Sequence, residues 1–318
     1  MRVYGPVPSR RFGLSLGVDL VPHKTCTFDC IYCQLGPTDC LSSTPKEHYE
    51  VDVVLADVAR ALEDGPMPDV VTLAGSGEPT LFRPLDSLIR GLREITEIPL
   101  LLITNGSLLW REDVAEAAMG VDILAPSLDA GDPETFLRVN RPHEEISFDR
   151  VVRGLSNATR AFGGEIRLEV MLVDGVNDGE GTVASIAEIL GDLRFDIIEV
   201  NTPVRPPLPE RGAVPCGEDA LGRALEAFGP KARAIGAFRS GHTSRTSRTF
   251  DDRDKDVREM LLRRPCTARD VSESLGMHRH EASKTLGRLV DAGLVEAVPG
   301  SGEVYFRCKG KNPSITNP

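Results

Sequence analysis

Nowhere in the 318 residues do about 18 apolar residues run without interruption, which excludes a membrane-spanning helix. The opening MRVYGPVPSRRFG likewise lacks the apolar stretch of a signal peptide, so an unexported, cytoplasmic protein with no membrane partner is expected. Positive charge is also in short supply. A formal charge of −11 excludes a protein that coats nucleic acid non-specifically, which needs clustered Lys and Arg, although it leaves room for a local basic groove. A disulfide framework is missing too: the seven cysteines are an odd number, three crowd into eight positions, and Cys40, Cys216, Cys266 and Cys308 are scattered. No internal repeat or long low-complexity tract occurs.

What is present suits a large core. With 41% apolar and 27% charged residues the chain is long enough for one big domain and one small one. Six segments read as strands: SLGVDLVP from Ser15, VVTLAG from Val70, PLLLITNG from Pro99, VDILAPSL from Val121, EIRLEVMLV from Glu165 and DIIEVNTPV from Asp196. Their near-continuous apolar runs predict strands covered on both faces. The segments between them carry helical stripes, such as Val51, Val54, Leu55, Val58 and Leu62. This α/β alternation predicts a parallel sheet, either doubly wound or a partial barrel, with its chemistry at the C-terminal ends of the strands.

After Phe250 the pattern changes. DVREMLLRR, TARDVSESLG and HRHEASKTLGRLVDAG predict three short helices, and LVEAVPGSGEVYFR a hairpin, together a winged helix. The polar stretch GHTSRTSRTF marks the boundary. The expected division is a core at 1–240, a linker at 241–252, a winged helix at 253–310 and a tail at 311–318.

In CTFDCIYC, Cys26, Cys30 and Cys33 stand at C-x3-C-x2-C spacing. On a loop this can set three thiolates around one cuboidal iron-sulfur cluster and leave one iron open to a small molecule. The rival readings are a zinc site completed by His23 and three ordinary buried thiols; Thr25, Thr27, Asp29 and Gln34 make the loop polar, which gives buried thiols little reason to cluster there and weighs against the second. Downstream, AGSGEPTL ends the next strand, where small residues let backbone approach a ligand and Glu78 could accept from an ammonium.

The cysteine spacing with Tyr32 before the last cysteine, and this Gly-Glu-Pro turn, resemble the radical S-adenosylmethionine (SAM) superfamily. Ser76 stands where the family motif has its first glycine. ITNGSLL, SLDAGDPETFLRVNRP, MLVDGVND and EVNTPVRPP, with the opening GPVPSRR, extend the resemblance over about residues 1 to 215, to the branch related to wyosine-base, tRNA-modifying synthases. The resemblance implies a partial (β/α)6 barrel, a [4Fe–4S] cluster on Cys26, Cys30 and Cys33, and SAM as partner. It places Tyr32 beside the adenine, Gly75, Ser76, Gly77 and Glu78 around the methionine moiety, and Asn105, Ser127, Asp129 and Asn201 at strand ends facing ribose, carboxylate or substrate. No residue is assigned as catalytic.

The implied reaction is reductive cleavage of SAM to a 5′-deoxyadenosyl radical, with an electron donor such as flavodoxin or ferredoxin. The substrate class stays open among RNA or tRNA, a nucleotide-like metabolite and a peptide. Wyosine synthases carry a second cluster, for which no second tight cysteine motif is present. Loop arginines, among them Arg10, Arg11, Arg138, Arg141, Arg205, Arg239, Arg245 and Arg248, suit an anionic group on the substrate. The segment from Asp251 carries twelve Lys/Arg against eleven Asp/Glu, a charge of about +1 against about −12 for the remainder. That balance favours substrate docking or protein contact over operator binding. Two alternatives are carried: a cluster- or SAM-sensing transcriptional regulator that uses the winged helix, and an activase of a glycyl-radical enzyme.

Overall fold

The computed structural model describes residues 2–9, 11–203, 211–235, 250–300 and 303–309, with side chains of 250–253 left aside. In chain order the core runs β1 (Val3–Ser9), β2 (Gly13–Val18), β3 (Thr25–Cys26), β4 (Cys40–Leu41), α1 (Val51–Asp64), β5 (Val70–Leu73) and a short 3-10 turn at Pro79–Leu81. It continues through α2 (Leu85–Ile95), β6 (Leu100–Thr104), α3 (Glu112–Ala118), β7 (Ile123–Pro126), α4 (Pro133–Val139) and α5 (Phe148–Ala161). The last core elements are β8 (Glu165–Met171), α6 (Glu180–Gly191), β9 (Ile197–Asn201), α7 (Glu218–Phe228) and β10 (Ala232–Ala234).

These build one eight-stranded sheet in the order β1-β2-β5-β6-β7-β8-β9-β10, parallel from β2 onward. The ends, β1 and β10, are not paired to one another, so the barrel is partial. All six expected strands are present. Two more flank them: β10, and β1, which pairs antiparallel with β2. Pro6 and Pro8 hide β1 from sequence reading, but proline is tolerated on an edge strand, and a register shift between Tyr4 and Val7 absorbs the irregularity.

The expectation of strands apolar on both faces holds for β5, β6 and β7, where Val70, Leu101 and Ala125 form a second buried cluster, and is corrected for β8 and β9. Leu73, Leu102, Leu124, Leu168 and Ile198 face the helices, where Val54 and Val58 of α1 are fully buried. On the other side of β8 and β9, Glu165, Arg167, Glu169 and Glu199 alternate with that apolar row and meet the β1–β2 turn. Arg11 Nη1 donates to Glu169 at 2.6 Å and to Glu199 at 3.1 Å, Arg233 donates to Glu199 at 2.7 Å, and Arg167 donates to the Arg11 carbonyl at 3.2 Å. Beneath this network Phe12 packs with Val70, Leu101 and Ala125 and plugs the barrel. The salt-bridged turn thus covers the polar inner face of β8 and β9.

The C-terminal unit is α8 (Phe250–Arg263), β11 (Cys266–Thr267), α9 (Ala268–Leu275), α10 (Arg279–Asp291), β12 (Val295–Gly300) and β13 (Glu303–Cys308), with strand order β11-β13-β12. Thr267 and Asp270 form a capping box at the start of α9, and Gly276, at φ 60°, ends it in the left-handed conformation. Val257, Leu261, Val271, Leu286 and Leu289 make a separate core. The expected linker at 241–252 lies outside the described residues up to 249, and α8 is helical from Phe250. Arg10, Arg205, Arg239, Arg245 and Arg248 also lie outside them. No helix among the described residues is long and apolar enough to cross a membrane.

Arg11→Met is expected to lower stability by about 3–5 kcal/mol, because two enclosed carboxylates lose their shared cation. Urea denaturation checks it.

Candidate functional site

The cysteine loop follows β2 and has almost no regular structure of its own: Cys26 closes the two-residue strand β3, and Cys30 and Cys33 lie on turns beyond it. Other parts of the chain hold it. Arg211, with a side chain 4% exposed, forks onto Asp29 at 2.6 and 3.0 Å, and its Nη1 also donates to the carbonyls of Asp29 and Cys30. Burial pushes the Asp29 carboxyl up, but the bonds from Arg211 and Thr38 outweigh it and hold it below the usual range. Asp29 N donates to Asn140 O, Ile31 N to Val139 O, and His143 N to Thr27 O, which ties the loop to the end of α4.

Each cysteine sulfur faces one side-chain N–H donor. Lys24 Nζ lies 3.2 Å from Cys33 Sγ, Asn105 Nδ2 3.6 Å from Cys26 Sγ and Asn140 Nδ2 3.6 Å from Cys30 Sγ. Burial, then the nearby Glu78 carboxylate, pushes the Cys26 thiol up to about 12, and burial, then Cys26, pushes Cys30 well above the ordinary thiol range. Thiols so placed ionise for a metal and not for water. Among the described residues no three His, Cys, Asp or Glu side chains gather around a point as a single ion requires. That arrangement gives no support to a zinc ion completed by His23. Three thiols on one loop, each faced by its own N–H donor, are the kind of donor set an iron-sulfur cluster uses.

Beyond β5 the loop Ala74–Glu78 packs on the cysteine loop. A Cβ at Gly77 would lie 2.0 Å from Thr25 O, and one at Gly75 would lie 2.2 Å from the Asp19 carboxyl, so glycine is required at both. Asp19 Oδ2 accepts from Ser76 N and Oγ, while Ser76 O accepts from Lys24 N at 2.8 Å. The backbone of Gly75 is exposed and that of Gly77 half-exposed. Glu78 is not turned outward. Its Oε1 accepts from Thr80 N, Thr80 Oγ1 and Thr104 Oγ1, and its Oε2 from Asn105 N at 2.8 Å. Its carboxylate braces the loop against the end of β6 and sets Asn105 in reach of Cys26.

The strand-end residues gather from β6 and β7. Asn105, Ser127 and Asp129, with Asn140, line a small cavity of about 10 Å³, room for a single water. Asp129 Oδ2 accepts from Tyr32 OH at 2.5 Å and from Asn140 Nδ2 at 2.7 Å, and its Oδ1 accepts from Met171 N. Tyr32 is therefore tied by its hydroxyl, and Asp129 spends its oxygens on the protein. Asn201 stands apart, donating to Glu169 at 3.0 Å in the barrel network. Cys40 is exposed, Cys216 half-buried, and Cys266 and Cys308 belong to the winged-helix unit, so these four do not converge.

A cavity of about 940 Å³ opens beside β1. Ser15, Thr72, Ala74 and Gly75 bound it on the barrel side, and Met260, Arg263, Arg264 and Leu275 to His278 on the other. The Arg263 guanidinium lies 4.3 Å from the Tyr4 ring centroid, and Tyr4 OH donates to Ala74 O at 3.2 Å, which links the winged helix to the glycine loop. Sequence reading misses Lys24, Asn140 and Arg211. Arg211 lies 182 positions from Asp29, and no local pattern announces the pair.

Burial raises the Asp129 carboxyl to about 6, so its protonated form is favoured by the fold. The stability it adds is present below about pH 4 and is lost as pH rises through about 6, by up to about 3 kcal/mol. In urea denaturation of the metal-free protein, Asp129→Asn is expected to abolish that fall, read as the difference between the two stability–pH curves.

Residues 20–185 match the family model described as the radical SAM superfamily, and residues 259–302 match that of the MarR family. Over 294 residues the chain is 35% identical to a protein of Brachyspira hyodysenteriae named GTPase Obg, covering 92% of this chain and 43% of that one. It therefore spans less than half the length of that relative. It is 28% identical to a UPF0026 protein of Methanocaldococcus jannaschii over 99% of both. The crystal structure of a radical SAM methyltransferase from Sphaerobacter thermophilus shares the fold, with a TM-score of 0.53 at 19% identity over 69% of this chain and 66% of that one. With its cysteine loop, glycine loop and partial barrel assembled as described, and its family match covering more than half its length, the chain belongs to the radical SAM superfamily.

Proposed function

We propose that Cys26, Cys30 and Cys33 ligate a [4Fe–4S] cluster, that the exposed backbone of Gly75 and Gly77 receives the methionine end of SAM, and that substrate enters through the cavity shared with the winged helix. The observation that carries this reading is the set of three sulfurs in one clamped loop, each faced by an N–H donor, beside a glycine loop with open backbone. When bound, the cluster and SAM supply one-electron cleavage of a sulfonium carbon–sulfur bond, giving methionine and a 5′-deoxyadenosyl radical that removes hydrogen from the substrate.

The chain's own residues do the positioning. Arg211 and Asp29 hold the cysteine loop, and Glu78 fixes Asn105 beside Cys26. Tyr32, which packs against Ile31, Met171, Val173 and Ala213 and donates to Asp129, fastens the cysteine loop in place. The winged helix serves as the outer wall of the substrate chamber, with Arg263 and Arg264 at its rim. The domain division at 241–252 is part of the proposal, as is a one-electron donor of the flavodoxin or ferredoxin kind. The likeness to wyosine-base synthases rests on motifs alone, and RNA, a nucleotide-like metabolite and a peptide are the substrate classes to screen.

A second reading, a regulator that senses the cluster or SAM, is favoured by the MarR match and by Arg279, His280 and Lys284, which stand exposed on α10. Salt-sensitive, sequence-selective DNA binding that changes with cluster oxidation would support it.

Anaerobically reconstituted protein given dithionite and SAM is expected to release 5′-deoxyadenosine, with none above background from Cys30→Ala. Equal release by the two proteins would overturn the assignment.

A further inference from the structure

Lys24 is out of place by ordinary rules. It is 3% exposed, where lysine is rarely found unless paired, and its φ is 58°, a conformation that favours glycine or asparagine. Three backbone bonds impose it: Lys24 N donates to Ser76 O at 2.8 Å, and Lys24 O accepts from Asp39 N at 3.1 Å and Cys40 N at 3.0 Å. A residue without a long side chain would occupy this position with less strain, so the ammonium has to account for the choice. It lies 3.2 Å from Cys33 Sγ, and of the three side-chain donors that face the sulfurs it alone is a cation.

We infer that Lys24 is a positioning residue that sets the reduction potential of the cluster, stabilising its reduced state by charge. The inference rests on the cluster reading above. Three thiolates on an oxidised [4Fe–4S] core of charge 2+ leave a net charge of −1. Entry of one electron from a low-potential donor takes it to −2, with no bond made or broken and no proton required. A fixed cation against one thiolate favours the more negative state, and the enclosed site screens that attraction little. Hydrogen bonds to cluster sulfurs act in the same direction, and Asn105 and Asn140 supply neutral ones.

The test is a redox titration of full-length reconstituted protein without SAM, followed by the electron paramagnetic resonance of the reduced cluster, with iron and sulfide content measured for each variant. Lys24→Met is expected to lower the ratio of reduced to oxidised cluster at a fixed potential about tenfold, equivalent to about 59 mV for one electron. Lys24→Arg, which keeps the charge, is expected to stay near wild type. Lys24→Asn, neutral and at ease at positive φ, is expected to shift as Met does and decides the matter if the Met variant fails to load. Unchanged potentials in loaded neutral variants, or equal shifts in the Arg and neutral variants, would overturn the inference. Absence of any cluster signal in the wild type would instead overturn the cluster reading itself.

Discussion

Three sulfurs have to be presented from eight residues that cannot hold themselves in place, and much of the fold around the site answers that constraint. A polar loop with two residues of strand has little cooperative structure of its own. It is fastened from outside: by Arg211 through Asp29, by the end of α4 through Asn140 and Val139, and by the glycine loop through Lys24 and Ser76. Strand order brings these anchors together, since β5, β6, β7 and β8 are neighbours and each ends on the face where the loop sits.

Much of this was legible in the chain. The six strands, the α1 stripe, the cysteine loop and the three helices and hairpin of the C-terminal unit stand where periodicity and turn residues put them. β1 escapes because prolines that forbid a central strand are harmless at an edge. The polar face of β8 escapes for a different reason: in EIRLEVM the alternation is plain, yet an apolar run is the easier pattern to see. Charges there make sense only once Arg11 arrives from the β1–β2 turn, 158 positions away.

The site divides in the same way. Cysteine spacing is a local signal, and sequence carries it well. Contacts between distant residues leave no such mark, so Arg211 and Asn140 become visible only in three dimensions. Glu78 and Asp129 carry a further lesson. Both are acidic residues at strand ends, where a ligand would be sought, and both direct their oxygens to protein donors. Their work is to fix neighbours: Asn105 beside Cys26 and Tyr32 beside Cys30. The exposed backbone of the glycine loop is then the surface we propose for SAM.

The winged helix packs its α9 against β1 and reaches Tyr4 through Arg263, so it borders the barrel's open side. The proposed chemistry nevertheless lies deeper, at an iron that Cys26, Cys30 and Cys33 would leave open to SAM. The most direct measurement is the electron paramagnetic resonance spectrum of dithionite-reduced, reconstituted protein with and without SAM. A reduced [4Fe–4S] signal whose g-values move when SAM is added is expected. A signal from a loaded cluster that is indifferent to SAM at saturating concentration would contradict the proposal.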